Sequence, residues 1–207
     1  WEGTFDAYYE DADVVELARF FDLRGFRPVA RSFGHNRMEW PTGPAGGSRH
    51  TGTIQLHPLE GVRLATAQLP SGAAQAVASR DDRPPDLTTT EFQVGGALEY
   101  AFDGDAIELT SGHIATPSTH VTFDGRTGGG AQTEIPFRAT STDWQEGYRL
   151  MTAVMASAGS STEPFEVDGA GTFEGVMLGD LTRPRVEATF AGEGLRAWNV
   201  EWGGGSG

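Results

Sequence analysis

Leu98-Glu-Tyr-Ala-Phe-Asp103, Ala106-Ile-Glu-Leu-Thr110 and His120-Val-Thr-Phe-Asp124 decide the fold. In each stretch large apolar residues alternate with polar or small ones, and successive side chains on a strand point to opposite faces. Leu98, Tyr100 and Phe102 therefore share one face, with Glu99 on the other. The same parity places Ile107, Leu109, Val121 and Phe123 against Glu108, Thr122 and Asp124. Working outward, Ile135 and Phe137 alternate with Glu134 and Arg138, Val186, Ala188 and Phe190 with Arg185, Glu187 and Thr189, and Trp198, Val200 and Trp202 with Asn199 and Glu201. Gly, Asp or Pro stands between most of these runs, which predicts a mainly β chain of antiparallel, hairpin-connected strands, dry on one face and wet on the other.

Two helices are expected to interrupt the strands. The first covers about Val14 to Leu23, with Asp13 and Glu16 at capping-box spacing, a stripe of Val14, Leu17, Ala18 and Phe21, and Gly25 as the stop. The second starts at Asp143 and Glu146 and carries a stripe of Trp144, Tyr148, Met151, Met155 and Ala158 before Gly159. Each should lie with one face on a sheet. Further strands are expected over Phe26 to Trp40, Thr51 to Leu56 and Val62 to Leu69, confined to edges or ends by Pro28, Pro41 and Pro58. Ser79 to Asp86 reads as a linker. It divides the chain into an N-terminal β segment, 1–85, and a second β segment, 86–207, each with one helix, or into one continuous domain cut from something longer. A start in mid-pattern and the closing Gly203-Gly-Gly-Ser-Gly207 also read as a piece of a larger protein, with any targeting segment outside it.

The 207 residues suffice for a sizeable core, and regular alternation with 10% aromatics argues against disorder. All 15 basic residues are Arg, and a net charge of −14 with no run of Arg argues against a nucleic-acid partner. Without Cys there is no disulfide or thiolate metal site. The most apolar stretch, around Leu150 to Ala158, is too short to span a bilayer.

Candidate chemistry is sparse. His113 and His120 flank a Pro-containing turn, while His50 and His57, seven apart, fall on opposite faces of a strand, and neither pair joins a carboxylate at metal-ligand spacing. Asp103-Gly-Asp105 is explained by a hairpin turn, without the later oxygen ligands of a calcium loop. Ser48-Arg-His50 lacks a Gly-x-Ser-x-Gly elbow. The acidic residues mostly alternate with apolar ones, as a solvated face does. The expectation is a non-enzymatic chain with no catalytic residue, no metal and no cofactor.

The phrase Ala106-Ile-Glu-Leu-Thr-Ser-Gly-His-Ile-Ala-Thr-Pro-Ser-Thr-His-Val-Thr-Phe-Asp-Gly125 resembles the repeated phrase of AsmA-like and TamB-like proteins. So do Gly169-Ala-Gly-Thr-Phe-Glu-Gly175, Leu181-Thr-Arg-Pro-Arg-Val-Glu-Ala-Thr-Phe-Ala-Gly192 and Trp198-Asn-Val-Glu-Trp-Gly203. The resemblance covers the second half of the chain best. It implies a curved antiparallel sheet folded into an open groove, tethered to the inner membrane of a diderm bacterium by a segment outside this chain and crossing the periplasm. It implies phospholipid as the cargo, in transport between membranes or in outer-membrane assembly, with an outer-membrane β-barrel protein as a partner of other parts of the full chain. Under that reading Leu98, Tyr100, Phe102, Ile107, Leu109, Val121, Phe123, Ile135 and Phe137 line the groove with Trp144, Met151 and Met155 of the second helix and with Val186, Phe190, Trp198 and Trp202. The two helices depart from the plain β-repeat. A carbohydrate-binding β-sandwich with a planar row of exposed aromatics is the alternative, and a β-sandwich hydrolase the next.

Overall fold

The computed structural model describes residues 2–15, 27–41, 47–68, 91–103, 106–128, 133–157, 167–180, 183–197 and 200–206. Among the described residues ten strands form one open antiparallel sheet in chain order, and two short strands stand outside it. The sheet begins with β1 (Glu2–Asp13), continues through β3 (Arg31–Pro41) and β4 (Arg49–His57), and passes to β6 (Gly95–Asp103), β7 (Ala106–Ala115), β8 (Thr119–Gly128) and β9 (Thr133–Ser141). After the helix α1 (Trp144–Ser157) it ends with β10 (Val167–Asp180), β11 (Arg183–Ala197) and β12 (Val200–Ser206). The two remaining strands, β2 (Arg27–Val29) and β5 (Glu91–Gln93), pair with each other in parallel. The sheet does not close, so β1 and β12 are its edges. β4 is hydrogen-bonded to β6, which joins the strands before and after 69–90 in one ladder.

The register carries the sequence parity across the sheet. Directly opposed residues share a face, and Ile54 faces Leu98, Phe102 faces Ile107, Ile114 faces Val121, Phe123 faces Phe137, Ile135 faces Met177, and Phe173 faces Phe190. Glu99, Glu108, Asp124, Glu134, Glu174 and Glu187 are exposed on the opposite face, as the alternation predicts. That face also holds exposed cross-strand ion pairs such as Arg138 with Glu174 at 3.2 Å, which are worth little in stability.

At two bulges a non-glycine residue takes a left-handed conformation and resets the parity. Ser111 (φ 52°) is the extra residue of a bulge in β7, and Asp11 (φ 54°) sits in the bulge of β1. Strict alternation from Ile107 and Leu109 through Ser111 would place His113 on the apolar face; the bulge takes Ser111 out of the count, so Gly112 and Ile114 take the apolar face and His113 the polar one. Such bulges also bend the strand and increase its twist. Pro136 interrupts pairing differently: having no N–H to donate, it lies in the gap of the β8–β9 register between Phe123–Phe137 and Arg126–Glu134.

Several expectations are corrected. Residues 2–13, for which no element is expected, form a full edge strand in which Phe5, Ala7 and Tyr9 alternate with Asp6, Tyr8 and Glu10. Val62 to Gln68 forms no strand: Gly61 (φ 85°) turns the chain, Leu64 packs over Gly95, and the Ala65 N–H donates to Thr116 O at 2.8 Å. The expected strand from Phe26 to Trp40 is broken at Ala30, because β2 and β3 belong to different sheets. Of the first expected helix, Val14 and Val15 are helical, with the Val15 N–H on Asp13 Oδ1 at 2.9 Å; 16–26 lies outside the described residues. So do the linker at 79–86, Gly104 and Asp105.

The second helix forms where its stripe predicts. Asp143 caps it, its Oδ1 accepting from the Gln145 N–H at 3.1 Å. Glu146 does not reach back to close the capping box. Its carboxylate instead accepts from the Ser118 N–H at 3.0 Å and from the Thr116 hydroxyl, while Ser141 Oγ takes the Asp143 N–H at 3.0 Å. The start of α1 is thereby fixed to the turn between β7 and β8.

Candidate functional site: the apolar face of the sheet

Large apolar side chains run from β1 to β11 on one face, and α1 covers part of it. Trp144 meets Phe173 and Phe190 edge-on, each at 6.1 Å between ring centres. Gly147 faces Thr119 at the start of β8, and Leu150 is buried with Ala30, Phe92 and Val94, flanked by Val14 and Leu56. α1 thus crosses the ends of the strands nearest the β7–β8 turn. On the other side of the same end, Leu64 lies on Gly95 and Thr140 Oγ1 donates to Ala67 O at 3.4 Å. This end of the sheet is clamped from both sides.

Away from the clamp the face is open. Phe5 is 55%, Trp40 39% and Val186 45% exposed, and Leu98, Tyr100, Phe102, Ile107, Leu109, Val121, Phe123 and Phe137 are half-buried rather than enclosed. Among the members of that predicted set whose burial is described, Ile135 alone is buried, at 9% exposure. Large apolar side chains left open beside one another on one face are uncommon on a soluble monomer.

The face is smooth because its rings lie down. Trp40 is opposite Gly3, Tyr9 opposite Gly34, Tyr100 opposite Gly52 and Phe123 opposite Gly112, and each ring occupies the space that a side chain on its glycine would fill. A strand glycine leaves backbone bare, and a cross-strand aromatic shields it. Phe123, Phe137, Phe173 and Phe190 continue the aromatic floor toward Trp144, with Phe137 and Phe173 stacked at 6.3 Å. These aromatic-on-glycine pairs are absent from the expectation read off the alternation alone. A Gly at apolar parity opposite an aromatic is the signal, and it needs the register to be seen.

Two tyrosines bring polarity onto this face. Tyr9 reaches over Gly34 to donate to Thr53 O at 3.3 Å, and Tyr100 reaches over Gly52 to donate to Asn36 Oδ1. Desolvation raises both phenol pKa values above the usual range; a hydrogen bond with Ser32 opposes the shift at Tyr9, and the neighbouring Tyr9 adds to it at Tyr100.

The sequence-predicted lining residues from Leu98 to Phe137, with Val186 and Phe190, all lie on this one face, and Trp144 packs down onto it. Met151 and Met155 lie within α1 and Trp202 within β12, their side chains outside the described set; Trp198 lies outside the described residues.

Other candidates sit elsewhere. His113 and His120 stack at 6.0 Å on the polar face, beside a cavity of about 380 Å³ that Ser111, Thr122 and Asp124 help to line. Desolvation, then the neighbouring His113, lowers the His120 pKa. Among the described residues no three His, Asp or Glu side chains gather to hold a metal ion. Ser48 Oγ lies 3.0 Å from His50 Nε2, but the imidazole meets Phe102 edge-on at 5.6 Å, and among the described residues no carboxylate orients it as a triad requires. No helix among the described residues is long and apolar enough to cross a membrane.

This chain matches no family model, no curated protein and no solved structure.

Proposed function

We propose that the apolar face shelters the acyl chains of phospholipid, and that the chain is a non-enzymatic segment of an AsmA/TamB-like protein bridging the periplasm. The observation that carries the reading is a single apolar face, continuous over the strands from β1 to β11, that α1 covers at one end only. Sheet curvature, to which the β1 and β7 bulges contribute, makes of this face a groove with a hydrocarbon floor, while the acidic outer face stays in water. Each methylene moved from water onto that floor is worth about 0.8 kcal/mol, so acyl chains bind without a cofactor and move along it without a covalent step. The polar headgroup stays at the groove's mouth. Inter-membrane lipid transport or outer-membrane assembly, an inner-membrane tether and a β-barrel partner belong to this proposal through parts of a longer chain.

Native mass spectrometry of the protein purified from a diderm host in mild detergent tests the reading. Phospholipid retained in substoichiometric to stoichiometric amounts is the expected result. Protein that stays lipid-free even after incubation with phospholipid would overturn it.

A further inference from the structure

Two of the chain's five histidines stand together on the polar face of the sheet. His113 of β7 is opposite Thr122 and His120 of β8 is opposite Ala115, so the imidazoles are diagonal neighbours across one hairpin, with ring centres 6.0 Å apart. The Ser111 bulge makes the pair. Strict alternation from Leu109 would send His113 to the apolar face, and bulges recur where a strand re-aims a side chain next to a site. The hairpin is held at its turn, where the Thr116 N–H donates to Thr119 O at 2.8 Å and the Glu146 carboxylate of α1 accepts from Thr116 and Ser118. Both rings border the cavity of about 380 Å³ with Ser111, Thr122 and Asp124, and His113 is exposed, so the place is open to water.

We propose that His113 and His120 form a two-imidazole site for a divalent transition-metal cation of the Zn²⁺, Ni²⁺ or Cu²⁺ kind. A metal lies about 2.0–2.1 Å from the nitrogen it binds and hence roughly 3 Å from that ring's centre, so rings that share an ion have centres at most about 6.5 Å apart. The observed 6.0 Å meets that condition. Rotation about χ2, which is soft in histidine, aims one nitrogen of each ring at a common point. Imidazole selects these cations over Mg²⁺ and Ca²⁺, which prefer oxygen. The remaining coordination positions go to water, for which Asp124, Ser111 and Thr122 supply hydrogen-bond partners around the cavity. Arg138, opposite Thr122, is matched by Glu174 at 3.2 Å and adds no unpaired positive charge beside the site, and the net charge of −14 favours a cation. The site is independent of the acyl-chain reading, since it lies on the other face of the sheet.

Calorimetric titration of the protein with Zn²⁺ tests the site, with Mg²⁺ as the control. Wild-type protein is expected to bind Zn²⁺ and not Mg²⁺. His113→Asn and His120→Asn should each weaken the Zn²⁺ affinity by about tenfold to a hundredfold, because the second imidazole acts as an intramolecular ligand at high effective concentration. His50→Asn, on a different strand, should leave the affinity unchanged. Traces of Cu²⁺ added to wild-type protein should broaden the amide NMR signals of residues 113–115 and 120–122 before all others, a readout that needs no variant to fold. Failure of the wild type to bind Zn²⁺, an affinity that survives in both single variants, an equal loss in His50→Asn, or Cu²⁺ broadening centred elsewhere would each overturn the site.

Discussion

The Tyr100 ring lies across Gly52 of the neighbouring strand, where a Cβ on Gly52 would sit 2.6 Å from the phenol oxygen and 2.7 Å from Cζ. The glycine is there because the ring is. Gly52→Ala should displace Tyr100 and cost about 1–3 kcal/mol, the usual penalty for overpacking. Urea unfolding checks it, with a double-mutant cycle against Tyr100→Ala: the two losses should be clearly less than additive, since each removes the same contact. Full additivity would mean that ring and glycine are independent.

The chain has four tyrosines, and two of them, Tyr9 and Tyr100, lie on the apolar face with raised pKa values. Tyrosinate absorbance followed through alkaline titration should therefore show a late-ionising component above pH ~10, which Tyr9→Phe and Tyr100→Phe each reduce. Because the unfolded chain releases these protons first, stability should fall as pH rises through that range. A titration in which all four ionise together at the ordinary value would contradict the desolvated placement.

His120 gives the opposite pH signature. Its folded-state pKa lies below that of an unfolded histidine, because burial and His113 both disfavour the imidazolium. As pH falls through about 6.5 the unfolded chain takes up the proton first, so stability declines from there downward. His120→Asn or His113→Asn should reduce the drop in melting temperature between pH 7.5 and 5.5, roughly the window on either side of the ordinary histidine pKa. An unchanged drop in both variants would rule out the pair as its source.

Ser111 holds a left-handed conformation at φ 52° so that His113 and Ile114 fall on their proper faces. Ser111→Gly should stabilise by about 1 kcal/mol, since glycine takes that conformation without a clash. Inserting one residue after Ser111 should instead unfold or severely destabilise the sheet, because the added residue turns His113 inward and Ile114 outward. Calorimetry of the two variants distinguishes them by sign.

Much of the architecture is legible in the alternation. Leu98, Ile107, Phe123 and Phe137 against Glu99, Glu108 and Asp124 dictate the two faces, and the Trp144 stripe predicts a helix lying on one of them. What periodicity cannot show is where a pattern is borrowed. Val62 and Leu64 alternate as a strand does, yet Leu64 is fixed by Gly95, a contact distant in sequence. The alternation of Phe5, Ala7 and Tyr9 with Asp6 and Glu10 in β1 is blurred by Tyr8 on the polar side and by the small Ala7 on the apolar one. The capping box at Asp143 has the right spacing, but the β7–β8 turn competes for Glu146 and wins it with two hydrogen bonds. The aromatic-on-glycine floor depends on cross-strand register, which no single strand's sequence contains.

The most direct measurement of the central claim uses neighbouring positions as their own control. A photo-crosslinking residue placed at Phe123 lies on the apolar face and one at Asp124 on the polar face, and Phe190 and Glu187 offer the same contrast on β11. Irradiation in the presence of phospholipid should attach lipid at Phe123 and Phe190 and leave Asp124 and Glu187 unlabelled. Equal labelling at both members of a pair, or none at Phe123 and Phe190, would contradict an acyl-chain surface on this sheet.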